Sequence, residues 1–440
     1  MDNVTKSMNQ KQMDFVKKAF KISHEELRPV SASFFYFFFL MSSYFILRPV
    51  RDEMGIQAGI ENLQWLFTGT FITMLLIVPI FGYLMKRFQR QKLIPAIYIF
   101  FCLNILIFYG FFSFFTSPLI SVIFFVWLSV FNLFVISIFW SFNADIFSSD
   151  QAKRLYGPIA AGGSSGAIFG PVITSSLAGQ IGVINLLLIS VLLLGLATYF
   201  LRRLIKHSNV WREKKLVAPI EGSIWEGLKL MIRSSYLKQI GLFVLLYTCI
   251  STFLYFEQAH IISEAFTVSE DRTSYFGFRD LLVNTSTLFL QFFITERILR
   301  KAGIIFCLIL VPVVASFGFL SLGISQSVVV LLIVQVLYRS LNFSIQRPSR
   351  EVLFTKVSVQ EKYNAKNFID TTLYRGGDAL SGWLFAGLSA LASLQAISFL
   401  AIPLAVVWAL SGLRSGRLFN SMTFNLDKNE LQDVITKKSA

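Results

Sequence analysis

Five arginines and four acids stand inside, or at the ends of, long apolar runs: Arg48, Arg51, Arg279, Arg339 and Arg375 with Asp52, Glu257, Asp280 and Asp378. An ionisable side chain in hydrocarbon costs at least about 2.5–3.5 kcal/mol on insertion scales, so each is a functional candidate. A guanidinium is a planar fork that meets phosphate or carboxylate bidentately, which makes this set suited to an anion in a water-lined chamber. On a helix, Arg48, Arg51 and Asp52 share one face at i, i+3 and i+4. Pro49 removes a backbone donor among them. The span either continues through these residues or stops at Leu47, leaving the charges at the outer surface. The near balance of signs also has a plainer reading, ion pairs joining helices, and Arg375 and Asp378 at i, i+3 favour it. Arg339 has no acid in its own run and is the first choice to meet an anion. Tyr44, Tyr275, Tyr338 and Tyr374 lie within four residues of these arginines and offer faces for a ring, though packing is the commoner use of such tyrosines. Asn132 is expected to face the chamber. Asp145, with Asp150, Lys153 and Arg154, is expected to form a gate network at its cytoplasmic mouth. Of the three histidines only His260 is placed to couple a proton.

The elements that position these residues must be membrane helices. The chain has 440 residues, 55% of them hydrophobic and 15% charged, and a mean hydropathy of +0.63. That composition cannot cover a soluble surface, which excludes a soluble enzyme, a disordered chain and a disulfide scaffold. Cys102, Cys249 and Cys307 lie in apolar runs without metal-type spacing and read as packing residues. Segments of about 20 apolar residues fall at roughly 31–50, 64–85, 93–115, 118–143, 157–179 and 183–201, then 239–261, 274–295, 303–323, 327–346, 372–391 and 394–412. No strand-like alternation runs through them, which argues against a β-barrel. The prediction is an all-α membrane protein of twelve transmembrane helices in two pseudo-symmetric six-helix bundles.

Basic residues fix the expected orientation. Connections after the even-numbered spans carry Lys86, Arg87, Lys92, Lys153, Arg154, Arg297, Arg300, Lys301, Arg347 and Arg350, whereas 113–117, 180–184, 322–328 and 390–396 hold no charge. The positive-inside rule then puts both termini in the cytoplasm, with the bacterial inner membrane as the expected location. The net charge of +15 belongs to these loops and to anionic lipid, not to nucleic acid. Expected divisions are a cytoplasmic segment 1–30 with an amphipathic stretch Gln10–Leu27, bundles at 31–201 and 239–412, a basic cytoplasmic linker 202–238 and a cytoplasmic tail 413–440.

A shift of about 210 residues aligns the halves: Lys86–Gln91 falls on Glu296–Lys301, and Gln151-Ala-Lys153 on Gln360-Glu-Lys362. Parallel six-span repeats around a central linker are the major facilitator architecture, with solute held near the midplane. Gly82-Tyr-Leu-Met-Lys86-Arg87-Phe88-Gln89-Arg90 resembles that superfamily's loop motif after span two, with Lys86 in place of its Asp and Gln89 in place of its second Gly. Gly157, Gly166, Gly170 and Pro171 resemble its antiporter motif in span five. Gly162, Gly166 and Gly170 share a helix face, an expected groove for a rocking interface; ordinary close packing explains them equally well.

Three further patches resemble the nucleotide transporter (ATP/ADP translocase) family, a divergent major facilitator branch. They are Tyr44-x-Ile46-Leu47-Arg48-x-x-Arg51-Asp52, then Phe139-Trp140-Ser-Phe142 with Ala152-Lys153-Arg154-x-Tyr156, and Lys362-Tyr-Asn-Ala365-Lys366-x-x-Ile369-Asp370 leading to Arg375-x-Gly377. Arg51 stands where that family carries a substrate-relevant lysine, and the acid it carries early in span four has no counterpart in 118–144. The resemblance implies transport of a nucleotide or other phosphorylated metabolite by exchange.

The expected function is therefore alternating-access transport of a small organic anion, with Arg48, Arg51, Arg279, Arg339, Arg375, Tyr44, Tyr338 and Asn132 at the solute. Asp52, Glu257, Asp280, Asp378, Asp145, Lys153 and Arg154 are assigned to coupling or gating. The alternative is a proton-coupled exporter of a siderophore, drug or other metabolite. No P-loop, zinc-protease or paired-aspartate signature occurs, so no catalytic residue, metal or cofactor is expected. The lipid bilayer and the anionic solute are the expected partners, and a monomer the expected working form.

Overall fold

The computed structural model describes residue 23 and residues 25–115, 117–207, 224–357 and 359–439. Fifteen helices follow one another among the described residues, with no strand. They are α1 (Leu27–Gln57), α2 (Leu63–Arg87), α3 (Arg90–Phe114), α4 (Pro118–Ile146), α5 (Ser149–Ile181), α6 (Leu186–His207), α7 (Ile224–Arg233), α8 (Ser235–Ala265), α9 (Ser269–Leu290), α10 (Glu296–Ile324), α11 (Val328–Leu341), α12 (Arg347–Leu353), α13 (Val359–Phe368), α14 (Tyr374–Ser389) and α15 (Leu394–Ser439). Wider π turns join α9 to α10, α11 to α12 and α13 to α14, at Gln291–Thr295, Asn342–Gln346 and Ile369–Leu373.

Nine stretches of the described residues are long and apolar enough to cross a membrane. One of them, Ser269–Ile324, runs 56 residues and holds two of the expected spans. These separate at Gly303, whose φ of 77° only glycine adopts without strain. Expected spans five and eleven are α5 and the segment around α14. Spans five and eleven carry more Gly, Ser and Thr than the rest, which lowers their hydropathy without unwinding them. The chain is an all-α membrane protein.

The described residues gather in two compact units. The first draws on the described residues within 1–57, 76–218 and 268–281, the second on those within 58–75, 219–267 and 282–440. The start of α2 thus packs with the second unit, and the first half of α9 with the first. Within the expected linker 202–238, α6 runs to His207 and α7 occupies Ile224–Arg233. Residues 208–223 and nearly all of the amphipathic stretch Gln10–Leu27 lie outside the described residues.

Within the first unit, the glycine stripe of α5 is filled. A Cβ on Gly162 would strike the Phe34 carbonyl oxygen, one on Gly166 that of Phe38, and one on Gly170 would lie 2.7 Å from that of Ser42. The groove expected to serve a rocking interface is occupied by α1 of the same unit, so close packing was the right alternative. Next to Ser42, Ser43 hydrogen-bonds the Ser190 hydroxyl of α6 at 2.8 Å. Two capping boxes start α1 and α5. Ser23 and Glu26 exchange backbone–side-chain bonds of 3.0 and 3.3 Å, as do Ser148 and Gln151. The Gln151 amide then donates to Glu26 Oε1 at 2.9 Å.

Candidate functional site

Helix α1 does not stop at Leu47. It continues through Pro49 to Gln57 and carries Arg48, Arg51, Asp52 and Glu53 on its last three turns. In the first unit these residues meet the start of α9. Arg279, with no exposed surface, donates from Nη2 to Asp280 Oδ1 at 2.7 Å and to Asp52 Oδ2 at 3.0 Å. Arg51 grips the other oxygen of Asp52 through Nη2 at 2.7 Å and Nε at 3.2 Å, with its guanidinium 5.0 Å from the centre of the Phe125 ring. Arg48 approaches Asp280 Oδ2 at 3.4 Å and lies 5.7 Å from the Phe45 ring. Among the described residues, three guanidiniums therefore surround two carboxylates in these ion pairs, one more positive than negative charge. A fourth arginine, Arg272, holds Glu53 through two 2.7 Å bonds. Gln57 joins that corner by donating to Glu53 at 2.9 Å and to Ser269 at 3.2 Å.

Arg48 is the loosely paired member of this cluster. Among the described residues its one ion-pair approach is the 3.4 Å contact with Asp280, although its side chain, 13% exposed, is more covered than that of Arg51 at 19%. Glu53 and Arg272 were not foreseen from sequence. Gly277 lets α9 come this close, since a Cβ there would lie 2.9 Å from the Ser175 backbone nitrogen and 3.1 Å from Thr174 Cβ. Tyr44 is buried one turn before Arg48, with its ring edge-on to Phe45.

The second unit treats its charges differently. Arg339 donates from Nε to Gln335 Oε1 at 2.6 Å, and Gln335 is anchored on the Leu254 carbonyl. Arg339 therefore has a neutral partner in its own helix, where the sequence offered no acid. Arg375 lies 3.5 Å from Asp378, the i, i+3 pair expected, and Thr252 donates to Asp378 at 3.4 Å. Glu257 is fully buried. One of its oxygens meets the Ser398 hydroxyl at 2.7 Å, while the other has no hydrogen-bond partner among the described residues. His260, one turn on, stacks on Phe385. Tyr338 is buried against Trp408, and Tyr374 pairs with Tyr247, a residue that nothing in its apolar surroundings singled out.

Of the residues expected to form the gate, Lys153 pairs with Asp150 at 3.2 Å, both exposed, and Arg154 pairs with Glu26 at 2.7 Å. Arg154 and the capping bonds of Ser23 and Gln151 hold the Glu26 carboxyl well below its usual range, at about 2. Asp145 is half-buried at the end of α4. Asn132 keeps a buried amide oxygen without a hydrogen bond among the described residues.

Residues 20–363 match the family model described as Major Facilitator Superfamily. The chain belongs to the Major Facilitator Superfamily. It is a multi-pass integral membrane transporter and not an enzyme. Among solved structures, a mutant of the nucleoside transporter NupG superposes with a TM-score of 0.64 at 15% identity, covering 88% of this chain and 98% of that one. An auto-inhibited peptide transporter of the POT family gives 0.63 at 13% identity, covering 89% and 97%. The human organic anion transporter MFSD10 (TETRAN) gives 0.56 at 15%, covering 89% and 100%. These likenesses establish the fold of the transporter, whose solute they leave open. No curated protein sequence matches it.

Proposed function

We propose that this transporter moves a small organic anion by alternating access, with exchange of a nucleotide or other phosphorylated metabolite as the most specific form of the reading. The uneven charge cluster of the first unit carries it. Three guanidiniums against two carboxylates leave a positive charge that burial makes costly, and an incoming phosphate or carboxylate supplies the missing negative one. Arg48, the least engaged of the three, is the residue assigned to meet the solute first; Arg339, already tied to Gln335, follows it. The resemblance of Tyr44–Asp52 to the ATP/ADP translocase signature supports a nucleotide, with Arg51 in the lysine's place. NupG and MFSD10 are named for nucleosides and organic anions, which is compatible with this reading. Both termini in the cytoplasm, a bacterial inner membrane and a working monomer complete the proposal, as do bundles at 31–201 and 239–412.

Liposomes preloaded with unlabelled nucleotide, phosphate or dicarboxylate should take up the labelled counterpart. Arg48→Gln should cut that exchange at least about tenfold at equal protein levels, as removal of one buried charge partner does elsewhere. Exchange at the parental rate would remove Arg48 from the site.

A second reading, proton coupling, has one observation in its favour. The single hydroxyl proton of Ser398 has two acceptors, Glu257 at 2.7 Å and the Leu394 carbonyl at 3.1 Å. A protonated Glu257 resolves the conflict by donating to Ser398, which donates onward to Leu394. Among the described residues no cation pairs with this acid to hold it ionised. Uptake driven by an imposed proton gradient, without counter-solute inside, would favour this reading; strict dependence on counter-solute would sink it.

A further inference from the structure

We propose that Tyr247, Asn342 and Tyr374, with Arg375 at their edge, form a subsite in the second unit for a planar aromatic ring that bears an anionic group, as in a nucleoside phosphate. This rests on the anion reading above and adds the ring to it. The centres of the Tyr247 and Tyr374 rings are 5.8 Å apart with their planes inclined by 46°. Both residues are half-buried, whereas the rings behind them are sealed: Trp408, 5.8 Å from Tyr247, and Phe243, 5.8 Å from Trp408, are buried outright. Two partly exposed phenols thus form a corner on a buried aromatic floor. A third ring fits such a corner face-on to one tyrosine and edge-on to the other, at the usual centre spacing of about 4.5–7 Å.

Asn342 gives the corner a polar edge. Its amide donates to the Tyr247 hydroxyl at 3.1 Å, which leaves its carbonyl oxygen and second N–H for a ligand. That donor–acceptor pair matches the amine and ring nitrogen of a base such as adenine. Arg375 supplies the charge. It lies 5.6 Å from the Tyr374 ring, keeps 33% of its side chain exposed, and its contact with Asp378 stretches to 3.5 Å.

The backbone is bent to make this arrangement. Asn342 opens one π turn and Tyr374 directly follows another, and such turns recur at functional sites. The carbonyls of the first are held from a neighbouring π turn, where Thr295 donates to Ser344 at 3.0 Å and Gln291 to Phe343 at 3.4 Å. Gly377 brings α14 against α8, because a Cβ there would overlap the Thr248 hydroxyl. That approach sets Tyr374 beside Tyr247.

The test is calorimetric binding to the full-length protein in nanodiscs, using AMP, adenosine, ribose 5-phosphate and inorganic phosphate. AMP should bind more tightly than any of the other three. Tyr247→Ala should weaken AMP and adenosine by about tenfold, the usual scale of a lost base–aromatic stack, and leave ribose 5-phosphate unchanged. Tyr247→Phe keeps the ring and should retain most of the affinity, with the melting curves of both unliganded variants showing that they are folded. Arg375→Gln should weaken AMP and ribose 5-phosphate but not adenosine. If phosphate and ribose 5-phosphate bind while Tyr247→Ala leaves AMP untouched, the ring subsite is overturned and the anion reading survives. If adenosine binds through Tyr247 and phosphate adds nothing, the anion reading and the part given to Arg375 fall while the ring remains.

Discussion

In the first unit Asp52 and Asp280 are enclosed by Arg48, Arg51 and Arg279, whereas in the second an equally buried acid, Glu257, meets the hydroxyl of Ser398. A membrane allows a carboxyl group two ways to exist away from water: beside a cation, or without its charge. The first unit takes the first way, and the geometry around Glu257 fits the second. The paired solution makes every member depend on the others, because removing one leaves a bare charge in a poor solvent. The neutral solution depends on little beyond a hydroxyl. The two regions should therefore respond in opposite ways to the same kind of mutation.

The sharpest way to break the comparison is at Arg279. Arg279→Gln removes the fully buried guanidinium that Asp52 and Asp280 share, leaving Asp280 with only the 3.4 Å approach of Arg48, and should cost about 3–5 kcal/mol of stability, seen as loss of the folded peak on size exclusion in detergent. Adding Asp280→Asn should restore much of the loss, because it removes the carboxylate left most weakly held. If the double variant is no better than the single, the cluster is not held by the pairing of Arg279 with Asp280. At Glu257 the expected effect is much smaller. Glu257→Gln keeps a neutral side chain that can donate to Ser398, and should shift stability by less than about 1 kcal/mol; a collapse comparable to that of Arg279→Gln would mean that Glu257 is ionised and paired. The smallest effect belongs to Glu26, at the exposed end of α1. Its folded pKa, about 2, lies below the ordinary carboxyl value. The stabilisation is therefore complete above about pH 4.5 and is lost as the pH falls towards 2. Glu26→Gln should lower the melting temperature by about 1–2 °C at pH 7 and by nothing measurable once both forms are protonated.

The fold was almost wholly legible, because twenty-residue apolar runs and lysine-arginine asymmetry are collective signals that survive any single substitution. The site was legible in part. Arg48, Arg51 and Asp52 stand out as charges on one helix face, and Arg279-Asp280 as charges in hydrocarbon. That these two groups meet is a long-range fact no local spacing encodes. Glu53 and Arg272 were passed over for that reason, being 219 residues apart. Tyr247 was missed because a lone tyrosine among Leu and Val carries no mark until Asn342 is seen to hydrogen-bond its hydroxyl. The π turns have no residue signature at all. The glycine stripe showed its spacing but not its occupant, and Glu26, which pairs with Arg154, lay outside both the expected first span and the expected gate network.

That stripe fixes more than a distance. With the carbonyls of Phe34, Phe38 and Ser42 seated where three side chains are missing from α5, α1 can neither rotate about its own axis nor slip by a residue. The helix bearing Arg48 and Arg51 is a rail bolted along its inner half. A descendant of this transporter that takes a different cargo would have to swap the fittings on that rail, since re-aiming the rail would unseat the whole seam.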